Sequence, residues 1–69
     1  MNNRESIGLQ ITEARNKKNL TQQQLSDLSG INRSNIAKIE NGKYNVSIDI
    51  LSKICNALSC EINIKEVDR

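Results

Sequence analysis

Arg33, Ser34, Asn35 and Lys38 bring a guanidinium, a hydroxyl, a carboxamide and an ammonium group into one short stretch of the chain. From the N-terminal end of a helix, Arg and Lys donate to guanine O6 and N7, and an Asn carboxamide bridges adenine N6 and N7. On an arbitrary helix the same side chains are solvated surface, so the element that carries them has to decide between the two. Other chemistries find less material. There is no histidine, a single aromatic residue and no glycine-rich phosphate loop, so no acid–base pair or activated nucleophile can be assembled and no enzyme is expected. Cys55 and Cys60 make neither a disulfide framework nor a zinc site, and read as reduced thiols serving as small apolar side chains. No metal and no cofactor are expected.

Charge supports a polyanionic partner by its distribution more than by its total. The net charge is +2 and the isoelectric point about 8.7. Residues 15–43 hold Arg15, Lys17, Lys18, Arg33, Lys38 and Lys43 against Asp27 and Glu40, a local excess of +4, while residues 1–14 and 44–69 each come to −1. With 69 residues the chain makes one domain over 1–69, close to the lower limit at which a single core holds. No apolar run approaches the roughly eighteen residues of a membrane span, and Met1 to Ser6 lack the apolar stretch of a signal peptide, so a cytoplasmic location is expected and no membrane partner.

The elements that must position these side chains are legible from apolar spacing and stop signals. Ile7, Ile11 and Ala14 form one stripe of a helix over about 4–18, capped by Asn2 or Asn3 and ending on Arg15, Lys17 and Lys18. Gly8 interrupts its helix propensity by about 1 kcal/mol and reads as a packing position. Thr21 to Gln24 has capping-box spacing, bracketed by Leu20 and Leu25 as a hydrophobic staple. The helix it opens, about 22–29, has Leu25 and Leu28 as its apolar face and stops at Ser29-Gly30. Asn32 caps a third helix over about 33–41, with Ile31 and Ile36 repeating the staple, Ile36 and Ile39 facing inward, and Asn41-Gly42 as the stop. A third staple, Val46 with Leu51 around Ser47, opens a fourth helix over about 48–58, with Ile48, Leu51, Ile54, Cys55 and Leu58 on one side. Beyond it Cys60, Ile62 and Ile64 alternate with Glu61, Asn63 and Lys65, a period of two that predicts a strand over about 60–66.

The middle pair of helices decides the reading of the opening cluster. Two helices of about eight residues joined by Gly30-Ile31-Asn32 have the layout of a helix-turn-helix unit, in which the second helix presents its N-terminal end to the major groove. Ser26 is small where the two must cross closely. Arg33, Ser34, Asn35 and Lys38 are then base-reading candidates.

Leu20-Thr21-Gln22 with Leu25, Gly30-Ile31, Ile36, Ile39-Glu40-Asn41-Gly42-Lys43, and then Leu51, Ile54, Ala57 and Leu58 resemble the phage-repressor, Cro-like (Xre) helix-turn-helix family, and Ile7-Gly8, Ile11 and Arg15 fit its first helix. The resemblance covers residues 7–58. It implies a mainly α, compact four-helix domain whose third helix reads DNA. It implies phosphate contacts from Gln22, from backbone and side chains around Asn41 to Lys43, and a salt bridge between Arg15 and Glu40. The alternative for that pair is two unrelated surface charges. Tyr44 either hydrogen-bonds a phosphate or covers the edge of the core. Departures from the family are Ser26 in place of the usual alanine, Val46 where proline is frequent, and the strand pattern where many members have a fifth helix.

A lone strand leaves its backbone groups open, and no second strand is predicted in the chain. Pairing of Cys60, Ile62 and Ile64 with the same strand of another copy resolves this around a twofold axis, as the resemblance to small antitoxin regulators of the family also implies. The expected function is a sequence-specific regulator of transcription, a repressor acting as a homodimer on a palindromic operator in double-stranded DNA, of bacterial or phage origin. The alternative is an antitoxin that binds a toxin protein and autoregulates its operon.

Overall fold

Four helices make up the described part of the chain, residues 3–63 of a computed structural model: α1 (Asn3–Lys17), α2 (Gln22–Ser29), α3 (Arg33–Glu40) and α4 (Ile48–Ala57). Each of the last three starts where a short polar side chain satisfies an N–H that the helix itself cannot. Thr21 Oγ1 accepts from the Gln24 amide at 3.0 Å while Gln24 Oε1 accepts from the Thr21 amide at 2.8 Å, a complete capping box. Asn32 Oδ1 accepts from the Ser34 amide at 2.8 Å, and Ser47 Oγ from the Ile50 amide at 3.2 Å. The staple residues Leu25 and Ile36 are fully buried, Ile31 is buried, and Leu20, Val46 and Leu51 pack on the core from its edge.

Three of the helices stop in the same way. Leu20 N–H donates back to the Arg15 carbonyl at 3.2 Å with Asn19 left-handed at φ 56°. Lys43 N–H donates to Lys38 at 2.9 Å around Gly42, and Cys60 N–H to Cys55 at 2.8 Å around Ser59, also at φ 56°. Each is the helix stop in which a left-handed residue turns the chain back over the last turn. α2 ends on Gly30 at φ 74°, a conformation that glycine adopts without a Cβ clash, with its N–H on the Ser26 carbonyl at 2.9 Å.

The core is Ile11, Leu25, Ile31, Ile36, Ile39, Ile54 and Leu58, contributed by all four helices and the α2–α3 turn. α1 lies across α3, and α2 packs on both α3 and α4. The α1–α3 crossing is close enough that only glycine fits. A Cβ on Gly8 would stand 2.7 Å from the Glu40 carbonyl oxygen and closer still to that of Ile39.

Two apolar assignments from spacing are corrected. Leu28 is 60% exposed and Ile48 68% exposed. α2 has only two turns, and the helices packed on it enclose its Leu25 side. Ile48 is the first residue of α4, where Ile50 and Leu51 turn toward the core instead. The strand predicted over 60–66 is not formed at residues 60–63, which have no regular structure and leave Cys60 and Ile62 exposed. A strand exists only by pairing, and no extended partner is present among the described residues. Ile64 and residues 65–66 lie outside the described residues.

Candidate nucleic-acid interface

The α2–α3 turn is fixed by two serine side chains on the backbone of Ile31. Ser26 Oγ donates to the Ile31 carbonyl at 2.6 Å, and the Ile31 N–H donates to Ser29 Oγ at 3.1 Å. The Asn32 carbonyl takes the amides of Asn35 and Ile36. Burial of Ile36 and Ile39 then fixes the rotation of α3 about its axis. What remains outward is the face bearing Arg33, Ser34 and Lys38, all exposed, with Asn35 half-buried beside them. Among the described residues the side chains of Arg33, Asn35 and Lys38 have no hydrogen-bond or ion-pair partner, so their donors are available to a ligand at no cost in broken contacts. Ser34 is partly committed: its hydroxyl donates to the capping Asn32 Oδ1 and keeps only its acceptor side free.

Behind that face lies a buried polar cluster centred on Glu40. Arg15 Nε donates to Glu40 Oε2 at 2.8 Å and Arg15 Nη2 to Oε1 at 3.0 Å, a two-pronged pair, with the side chains 13% and 5% exposed. Arg15 Nη1 also donates to the Leu20 carbonyl at 2.7 Å, and Gln22 Nε2 reaches Glu40 Oε1 at 3.2 Å. Burial by itself pushes the Glu40 carboxyl up, but the hydrogen bonds from Arg15 and Gln22 outweigh it and hold it below the ordinary 4.5. The hydrogen bonds that it donates to Glu40 raise the Arg15 guanidinium above its usual value. The cluster therefore carries both charges at neutral pH and ties α1, the start of α2 and the end of α3 to one point.

Of the phosphate-contact candidates, Asn41 and Lys43 are exposed on the turn after α3, Gln22 is half-buried with its amide on Glu40, and Tyr44 packs against the core. The amides of Asn41, Gly42 and Lys43 all donate to α3 carbonyls, at 2.9–3.0 Å. A clamp built from that backbone is therefore not on offer, and the side chains are the free donors there. Sequence reasoning had Ser26 as a small residue at the crossing and Ser29 in the stop of α2, and missed the hydrogen bonds by which both hold the turn. Their signal was local: serines two and five residues before a turn residue are placed to bond its backbone.

The helix-turn-helix family profile matches residues 11–64. The chain belongs to the helix-turn-helix family. Over 57 residues this helix-turn-helix chain is 37% identical to the competence pilus inhibition repressor of Acinetobacter baylyi, covering 83% of itself and 52% of that protein. Over 58 residues it is 33% identical to the immunity repressor protein of Bacillus phage phi105, covering 84% and 40%. It thus spans about half the length of these curated relatives. Among solved structures, the restriction-modification controller protein C.AhdI from Aeromonas hydrophila superposes with a TM-score of 0.82 at 36% identity, over 84% of this chain and 88% of that one.

Proposed function

We propose that this helix-turn-helix domain reads double-stranded DNA in a sequence-specific way and regulates transcription, as a repressor bound as a homodimer to a palindromic operator. The observation that carries the proposal is the outward face of α3, where Arg33 and Lys38 stand free over a helix locked by buried Ile36 and Ile39. Arg33, Ser34, Asn35 and Lys38 read base edges; Gln22, Asn41, Lys43 and Tyr44 contact phosphates and set the register. The Gln22 amide turned onto Glu40 leaves its second N–H to donate to a phosphate oxygen. Two of the relatives named above are described as repressors, which favours repression over the antitoxin alternative. No described helix is long and apolar enough to cross a membrane.

Binding to duplex DNA, followed as a function of salt, separates the two kinds of contact. Arg33→Ala is expected to cost about 1–3 kcal/mol on the preferred site and to relax the choice at one base pair. Lys43→Ala is expected to weaken all sequences alike and to reduce the salt slope by about one. An Arg33→Ala loss spread evenly over all sequences would make Arg33 a phosphate contact and remove it from the reading set.

A further inference from the structure

The stop of α4 brings the two cysteines of the chain together. Cys60 N–H donates to the Cys55 carbonyl at 2.8 Å and Ser59 N–H to Asn56 at 3.2 Å, around left-handed Ser59. In this kind of stop the residue after the left-handed position folds back over the one five before it, and their side chains commonly touch. With that hydrogen bond in place, standard bond lengths hold the two Cα atoms within about 6.7 Å of each other, inside the roughly 7 Å beyond which a disulfide cannot close. Burial, and then the nearness of Cys60, push the Cys55 thiol above its ordinary value, while the Cys60 thiol donates to the Leu58 carbonyl at 3.5 Å in the same stop. Both residues line one open groove with Ile11, Ala14, Leu51 and Leu58, Cys60 exposed and Cys55 half-buried.

The backbone does not call for sulfur here. The same stop carries Arg15 with Leu20 at the end of α1 and Lys38 with Lys43 at the end of α3. Only at α4 do the two facing positions hold a pair of thiols.

We propose that Cys55 and Cys60 are a reversible dithiol–disulfide site, closed by exchange with a low-molecular-weight disulfide such as oxidised glutathione. In the undimerised chain the exposed Cys60 thiolate attacks one sulfur of the reagent, its S–S bond breaks, and one thiolate leaves and takes up a proton. Cys55, deprotonated in turn, attacks Cys60 Sγ, forms the internal disulfide and expels the second thiol. The chain gives up two electrons and two protons, and the reagent receives both as two thiols. A loop this short gains little from closure, and a solvent-accessible disulfide is readily reduced, so the site works as a sensor and not as a staple. That suits a cytosolic protein, in which disulfides are transient. Cys60 is also where the chain leaves the stop of α4, so closure fixes the direction in which residues 60–63 depart.

The test uses the full reduced chain, oxidised glutathione as the reagent, and alkylation with denaturing mass spectrometry as the readout. The wild-type chain is expected to lose two hydrogens, resist alkylation at both cysteines, carry no glutathione and recover both thiols in dithiothreitol. Cys55→Ser should stop at a stable glutathione adduct on Cys60. Cys60→Ser should react at least about tenfold more slowly, because the half-buried, less acidic thiol must then attack first. The proposal is overturned if the wild type stays alkylatable at both cysteines, retains glutathione on Cys60, or cross-links chain to chain. It is equally overturned if Cys60→Ser reacts as fast as the wild type.

Discussion

Glu40 is the residue on which the polar geometry of the domain converges. It accepts two hydrogen bonds from Arg15 and one from Gln22, and it is only 9% exposed. Its removal strands a buried guanidinium whose other bond is to a single carbonyl. Glu40→Ala is therefore expected to lose roughly 3–5 kcal/mol, a large share of the roughly 5–15 kcal/mol by which folded domains are generally stable. A thermal melt that barely moves would refute the buried pair. The same carboxylate gives the stability a sign in pH. Because folding lowers its pKa, its contribution is complete above the ordinary 4.5 and is lost as pH falls below that value toward the folded pKa. The midpoint of unfolding should drop more steeply in acid for the wild type than for Glu40→Gln, which has no carboxylate to protonate at that position. Equal slopes would place the acid sensitivity elsewhere.

At the scale of elements, the α1–α3 crossing is a close backbone contact that rests on a missing side chain. Alanine is worth about 1 kcal/mol more than glycine within a helix, yet Gly8→Ala should destabilise this domain. Its methyl group would meet the backbone carbonyls of Ile39 and Glu40, which cannot swing aside as side chains do. The shift would also loosen the Arg15–Glu40 pair, so melting should fall by several degrees; a rise would mean that α1 has room to move. Much of this architecture was legible because its signals are local. Thr21, Asn32 and Ser47 cap within three residues of themselves, and Leu20, Ile31 and Val46 announce the helices that follow. Less was legible where tertiary context decides. Spacing put Leu28 and Ile48 with the apolar faces, but exposure depends on which neighbours cover a helix, and these two are left outside. Asn19 and Ser59 adopt the left-handed conformation without being glycine, so the stops of α1 and α4 carry a weaker sequence signature than Gly30. In the site, the residue types of the reading face were plain from sequence. The commitment of the Ser34 hydroxyl to Asn32 and of the Asn41–Lys43 amides to α3 was not, since it requires coordinates.

Among the described residues α3 carries an exposed face with Arg33 and Lys38, and an open groove lies between α1, α4 and residues 59–63. The exposed Ile62 and Cys60 lie along that groove, where the homodimer is proposed to form through residues 60–66. Sedimentation of the full chain at micromolar concentration should then report a dimer, and deletion of residues 60–69 a monomer that binds a half-site weakly. A full-length monomer, or a truncated dimer, would move the interface elsewhere. In the proposed dimer on a palindromic site the two α3 helices would stand about 34–36 Å apart, one turn of DNA. Selection of bound sites from random duplex DNA tests the central claim most directly. Enrichment of a palindrome with half-sites one helical turn apart, losing its preference at one symmetric position in Arg33→Ala, is the predicted result. Recovery of unenriched sequence by a folded wild-type chain would contradict it.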